Sequence, residues 1–526
     1  MEVNTEITRP TKTKNLQPSS TPTSNDKFEY GDLILKYLTH IGAEYIFGVP
    51  GGAIEPLYNA LARSERAGGI QSVVACHETA AVFMADGYSR ESGNIGVCCA
   101  TTGPGATNLI TGVASAAADN IPLLVITAQT TLSTFGRYGL QESSCTGINT
   151  VAMFEHCTRY NTFVSHADQL ERKLQTAIQY AFGPTPGPVH LSIPLDILRT
   201  PCEHINSSQI GEPNGTTNNK KGKFTIPSYY RNQKPDDTEI DAIASAILDK
   251  KDVALVIGEA CDSSAQFILE LAELKGWSVL TTPMAAGLVP SFHPNYCGVF
   301  GMSGHRYAQE AISKEKNSIV VLIGANLDEI NTAGWYEDGL CSDRLIHIDD
   351  NPKHLAQSAF AKLQVYGSTA AVFRALLNKC NVDETGRNNN LPANIQRDFP
   401  VYLTKEEQNK CISNSPLDNL LPIKPQYLIR ELSRRCPLDT RVTADSGASY
   451  MWAIHYWEFT PSKGLNKNLF RAGMGFSSMG WAIGAAIGTA KANPVDPVVC
   501  ITGDGSLLMS GQDIATAHQK IPILFL

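Results

Sequence analysis

The sequence predicts an α/β protein built from three doubly wound, parallel-sheet domains, and three observations lead there. Short continuous apolar runs alternate with helical patterns, the signature of strands covered by helices on both faces. Glycine-marked turns follow several of these runs. Two polar, proline-punctuated stretches, 201–235 and 381–420, interrupt the pattern and read as linkers. The domains therefore fall at 28–200, 236–380 and 421–526.

In the first domain, runs at 46–49, 95–99, 123–126 and 189–193 read as buried strands. The second repeats the pattern at 253–257, 278–281, 319–323 and 345–348. The third opens with a helix over 425–435, followed by a strand at 441–443, a Gly-rich helix around 473–488, a strand at 498–501 and a helix from near Gln512. Residues 1–27 are rich in Thr, Ser, Asn and Pro, carry Glu2 and Glu6, and lack an apolar signal-peptide core. A disordered tail is expected there.

Composition narrows the function. With 43% hydrophobic and 18% charged residues, 526 residues can bury several cores. A net charge of −8 without a basic block argues against nucleic-acid binding. No run approaches the roughly 18 apolar residues of a membrane span. Thirteen cysteines without a Cys-x-x-Cys pair read as reduced thiols, so a cytoplasmic protein acting on a small molecule is expected.

The sharpest motif is Gly503-Asp504-Gly505-Ser506, set between the 498–501 run and a helical pattern. Glycines there let a diphosphate approach the backbone, and an aspartate can hold Mg²⁺ bridging its oxygens. Alone, such a tripeptide is usually a plain turn. Its surroundings add Ala-Gly-Met-Gly-Phe-Ser-Ser-Met-Gly from Ala472 and Leu-Leu-Met-Ser to Ser510. Further upstream lie Gly48-Val-Pro-Gly-Gly-Ala53, Cys76-His-Glu-Thr-Ala-Ala81, Thr102-Gly-Pro-Gly-Ala-Thr-Asn108 and Gly187-Pro-Val-His190. These blocks, in this order, resemble the thiamine diphosphate (ThDP)-dependent enzymes of the acetolactate synthase large-subunit type, over nearly all of 30–526.

The resemblance implies a pyrimidine-binding first domain, a central Rossmann-like domain and a diphosphate-binding third domain. It implies ThDP and Mg²⁺ as cofactors, with Asp504 as a metal ligand and Met479 as the wedge that bends ThDP. Glu78 would handle the proton whose movement prepares the thiazolium carbon to attack a carbonyl. Pro50, Gly51, Gly52, Gly103, Asn108, Gly447, Ser449, Gly503, Gly505 and Ser506 would line the cofactor. Gln141 would reach the reacting centre, and Leu140 and Arg159 would border the substrate. Read without the family, Glu78 is a surface residue at a helix start, Met479 a core methionine, and Leu140 and Arg159 structural surface residues.

The chain departs from the pattern in several places. Leu140 stands where the family carries an aromatic, and Arg159 where it carries Lys. Ala448 and Ser449 replace a Gln and a His. The stretches 301–304 and 324–330 lack the His and arginines that hold FAD in many members, so no FAD is expected. The family's closing Asn-Asn pair falls 24 to 27 residues after its Gly-Asp-Gly, whereas 21 residues follow Gly505. The third domain is therefore expected to be incomplete, without its second metal ligand.

The resemblance implies decarboxylation of pyruvate and ligation to a second 2-oxo acid, giving acetolactate. It implies a homodimer or homotetramer in which Glu78 and Asp504 of different copies share a site. Another ThDP-dependent 2-oxo acid decarboxylase or acyltransferase remains open, as does an inactive fragment that only associates with a partner.

Overall fold

A computed structural model describes residues 28–202, 235–380, 422–462, 467–518 and 521–526. The expected tail and most of the two expected linkers lie outside these residues.

Three wholly parallel sheets form the frame. The first comprises β1 (Tyr45–Val49), β2 (Gln71–Val74), β3 (Gly96–Ala100), β4 (Leu123–Gln129), β5 (Tyr160–Phe163) and β6 (Val189–Pro194), in the order β2-β1-β3-β4-β6-β5. The second comprises β7 (Val253–Ile257), β8 (Ser278–Thr281), β9 (Tyr296–Val299), β10 (Ile319–Ile323), β11 (Leu345–Asp349) and β12 (Leu363–Tyr366), ordered β12-β11-β10-β7-β8-β9. The third comprises β13 (Arg441–Ala444), β14 (Phe470–Ala472), β15 (Val498–Ile501) and β16 (Ile523–Phe525), ordered β14-β13-β15-β16. Every strand expected from an apolar run is present, with ends shifted by a residue or more at some. Six strands were not expected: β2, β5, β9, β12, β14 and β16.

Two helix expectations are corrected. The Gly-rich helix is Trp481–Ala492, because Gly480 adopts φ +88° and the preceding residues form a loop. A helix does not wait for Gln512: Asp504–Ser510 begins inside the Gly-Asp-Gly motif itself.

The first and third units share one core. Helix α1 (Glu78–Ser92) packs on α2 (Trp481–Ala492) through glycines that permit backbone contact. A Cβ on Gly87 would lie 2.1 Å from Ala485 O, and one on Gly488 would lie 1.8 Å from Met84 O. Phe83, Met84, Trp481 and Ile487 are each at most 1% exposed in this cluster, and burying such side chains stabilises by roughly 1.5–3 kcal/mol each. The central unit joins through Ala286 and Val299, which pack with Phe459 and Phe470.

Candidate active site

Ligands of open parallel sheets gather where the strand order reverses, beyond the strands' carboxyl ends. In the first sheet this point lies between β1 and β3, and both Gly-rich loops leave from it. The strand ends and their loops press together: a Cβ on Gly48 in β1 would stand 2.4 Å from Cys99 O in β3, and one on Gly51 would stand 2.6 Å from Thr101 Cβ. Pro50 and Gly52 are exposed beside them.

Glu78 opens α1, with the His77 ring accepting from Thr79 N at 3.2 Å as the cap. Thr79 Oγ1 donates to Asn108 O at 2.5 Å, and Asn108 Nδ2 donates to Glu78 Oε2 at 2.9 Å. Gly105 leaves space beside the other oxygen, since its Cβ would lie 3.3 Å from Glu78 Oε1. Gly103, at φ +64°, faces Gln141, at φ +59°, with 3.0 Å between its would-be Cβ and Gln141 Cβ. Gln141 O accepts from Thr102 Oγ1 at 3.0 Å, while Leu140 is 90% exposed. The structure thus brings Glu78, Gly103, Asn108 and Gln141 together.

A buried polar network that sequence reasoning missed holds this arrangement. Gln129 Nε2 donates to Ser143 O at 2.9 Å, and Thr102 Oγ1 lies 2.8 Å from Ser143 Oγ. The signal was available, because Gln129 ends a mostly apolar strand whose seven residues are all buried. A polar group in such a place needs partners.

The third sheet reverses between β13 and β15, and its two loops form a second cluster. Gly447 has φ +97°, and Ser449 Oγ lies 3.5 Å from a would-be Cβ on Gly503. Met479 Sδ lies 3.8 Å from one on Gly505, and Met479 itself is 48% exposed, so it is no core methionine in this chain. Asp504 is exposed at the first position of its helix, and Ser506 is buried. Asp445, missed in the sequence, ties the cluster. Its Oδ1 accepts from Ser446 N at 3.0 Å and Gly480 N at 2.9 Å, and its Oδ2 accepts from Thr502 Oγ1 at 3.2 Å. Burial raises its pKa, and these hydrogen bonds oppose the rise.

Arg159 precedes β5 and so stands at the amino edge of the first sheet, opposite Glu78. Its Nε donates to Pro186 O at 3.1 Å, and its Nη2 donates to Ala117 O at 3.0 Å and Asn120 Oδ1 at 2.9 Å. Burial lowers its pKa. The neighbouring Asp119 accepts from Gly475 N at 2.8 Å, four residues before Met479. Arg159 is thus linked through Asn120 and the adjacent Asp119 to the loop before Met479, and it is not among the residues gathered at Glu78.

The donor set fits a thiamine cofactor. Glycines 503 and 505 leave a Cβ-free approach to a helix start, which favours a diphosphate. Asp504 offers an oxygen to a hard cation. Among the described residues no group of three or more His, Cys, Asp or Glu side chains could hold a metal alone. Mg²⁺ commonly takes one or two carboxylates and completes its shell with phosphate and water.

Three family profiles match in order: the thiamine pyrophosphate enzyme N-terminal TPP binding domain at 28–149, the central domain at 240–376 and the C-terminal TPP binding domain at 445–526. The chain belongs to the thiamine pyrophosphate-dependent enzymes, in the acetolactate synthase family. It is 30% identical over 495 residues to an acetolactate synthase of Mycobacterium bovis, covering 93% of this chain and 74% of the relative. It is 30% identical over 501 residues to the acetolactate synthase isozyme 3 large subunit of Escherichia coli, covering 94% and 80%. A probable acetolactate synthase large subunit of Methanocaldococcus jannaschii is 29% identical over 503 residues, covering 94% and 78%.

Proposed function

We propose that the protein condenses pyruvate with a second 2-oxo acid, using ThDP and Mg²⁺, to give acetolactate when both are pyruvate. Two pyruvates and one proton give one acetolactate and one CO₂, without net redox change. The observation that carries this reading is the Glu78 carboxylate held by Asn108 at 2.9 Å beside the Cβ-free Gly105.

When bound, ThDP supplies a thiazolium carbon that adds to a 2-oxo carbonyl and a ring that takes up the electrons freed by loss of CO₂. Glu78 holds and returns a proton at the aminopyrimidine nitrogen, and Asn108 fixes the carboxylate for that task. Pro50, Gly51, Gly52 and Gly103 border the pyrimidine. Gly447, Ser449, Gly503, Gly505 and Ser506 would receive the diphosphate, Asp504 would hold Mg²⁺, and Met479 would pack against the cofactor. Gln141 orients the acceptor, Leu140 shapes its pocket, and Arg159 keeps positive charge near its carboxylate.

The hydrogen bonds from Asn108 to Glu78 and from Thr102 to the Gln141 carbonyl stay within the first unit, and those of the Asp445 and Thr502 side chains within the third. Both clusters border exposed apolar side chains: Leu140 at 90%, Phe476 at 52% and Leu508 at 85%. This supports a homodimer, or a homotetramer, in which Glu78 of one copy meets Asp504 of another. Among the described residues no helix is long and apolar enough to cross a membrane. Free thiols at every described cysteine support a reducing compartment such as the cytoplasm.

Incubation with pyruvate, ThDP and Mg²⁺ tests the reading. Acetolactate and CO₂ are expected in equal amounts, and acetaldehyde without acetolactate would overturn it. Calorimetric titration with ThDP checks the cofactor directly, since saturable binding that strengthens with Mg²⁺ is expected.

A further inference from the structure

The central sheet reverses between β7 and β10, and the backbones leaving these strands touch there. A Cβ on Gly258 would stand 2.3 Å from Gly324 O. Beside this point lies a cavity of about 210 Å³ whose walls come from all three units. Glu259, Asp262 and Asp328 line it, together with Asn326, Asn331 and Arg471.

The arginines at this cavity already have carboxylate partners. Arg90 pairs with Asp86 at 2.5 Å and Asp119 at 2.7 Å. Arg471 pairs with Glu91, which Arg441 also holds at 3.0 Å. By contrast, among the described residues no cation stands within ion-pair distance of Glu259, Asp262 or Asp328. Asp262 Oδ1 accepts from Asn468 N at 3.1 Å and Asp328 Oδ1 from Asn331 N at 2.7 Å, both backbone donors. His354 acts on Glu259 and Asp328 from further away, its ring bound to Asp349 at 2.9 Å, and Arg471 and Lys467 act likewise on Asp262.

Unmet hydrogen-bonding capacity lies on the same walls. Asn331 is 1% exposed and leaves Oδ1 without a partner, and Glu259 leaves a buried Oε2 likewise. Arg471, 5% exposed, leaves Nη1 unused. Buried polar atoms in this condition are costly unless something fills them. Burial pushes Glu259 up to about 7 and Asp262 up to about 6, so both carboxyl groups are strained as anions.

The residues do not fit a flavin dinucleotide. Three carboxyl groups without an ion-pair partner oppose a diphosphate, and 210 Å³ is smaller than the roughly 300–1,000 Å³ of ordinary ligand sites.

We propose that this crevice binds a small organic cation, a short-chain alkylammonium or guanidinium compound, in place of a flavin dinucleotide. Its N–H groups meet the three carboxyls and the vacant Asn331 Oδ1 through charge-assisted hydrogen bonds. Arg471 Nη1 donates to a hydroxyl or carbonyl where the ligand carries one. Met284, Met474 and Phe470 cover the alkyl part.

The full chain, in amine-free buffer, is titrated calorimetrically with n-butylguanidinium and n-butylammonium, with the neutral isostere n-butylurea and FAD as controls. Saturable binding of at least one cation is expected, with n-butylurea at least tenfold weaker and FAD not binding. Asp262→Asn and Asp328→Asn should each weaken cation binding at least tenfold, and either variant suffices if the other does not fold. Saturable FAD binding, binding of neither cation, or equal affinity in a folded variant overturns the proposal.

Discussion

Asn108 and Glu78, thirty positions apart, are joined by a hydrogen bond of 2.9 Å from Nδ2 to Oε2, which leaves the second carboxylate oxygen facing the glycine-lined space at Gly105.

Glu78→Gln keeps the size of the side chain but not its proton chemistry. Its kcat with pyruvate should fall by about 10²–10⁴ with an unchanged melting temperature. Asn108→Ala, which only frees the carboxylate, should cost about tenfold, the worth of roughly one hydrogen bond to a charged group. A Gln variant keeping most of its kcat would remove Glu78 from the proton path.

Asp445 anchors three segments of the diphosphate cluster from one buried carboxyl group. Asp445→Ala leaves Ser446 N and Gly480 N without their acceptor, and should destabilise by about 1–3 kcal/mol. ThDP should bind more than tenfold weaker. Chemical denaturation of the cofactor-free protein and a ThDP titration read the two effects separately.

Met479 distinguishes a cofactor wedge from core packing. Because the side chain is 48% exposed, Met479→Ala should change stability by less than about 0.5 kcal/mol. Turnover at saturating ThDP should nonetheless drop. A loss of about 2–5 kcal/mol in urea unfolding, as for a buried methionine, would contradict this.

Gly488 allows α1 and α2 to meet. Gly488→Ala would place a Cβ 1.8 Å from Met84 O, so the helices must separate, at a cost of about 1–3 kcal/mol or more. A clear fall in melting temperature is expected. An unchanged melt would mean that the helices are not in this contact.

Glu259 makes stability depend on pH. Its folded pKa of about 7 exceeds its ordinary 4.5, so in that window the folded chain keeps a proton that the unfolded chain has released. Stability should therefore fall as pH rises from about 4.5 to about 7, by about 1.4 kcal/mol per unit for this one group. Asp262 acts in the same direction up to about 6. Glu259→Gln should flatten the melting temperature across this range, and an unchanged slope would refute the assignment.

The sequence revealed the interior of each sheet and concealed its borders. All six strands that pattern reading missed are edge strands: β2 and β5, β9 and β12, β14 and β16. An interior strand such as β10 is buried at all five residues and shows a continuous apolar run. An edge strand such as β5 is only half-buried throughout, so its Tyr-Asn-Thr-Phe carries no such run. The site divided along a similar line. Glycines and Glu78 stood out because motifs are local in the chain, whereas Asp445 and Gln129 act through partners up to 57 and 27 positions away. Arg159 was the hardest to place, because its partners Asn120 and Pro186 lie on separate loops.

The glycine-lined crossing of α1 and α2 also bears on how the molecule comes apart. Phe47 and Val97 stand beside Cys98 in the first sheet, while Val498 and Cys500 lie in the third, and Phe47, Cys98, Val498 and Cys500 share one buried cluster. Segments 400 residues apart therefore open as one cooperative unit, and amide protons on β3 and β15 should exchange with solvent at matching free energies. A ribosome must release the third unit before the α1 face of the first is covered, although the first unit's other face closes on its own residues.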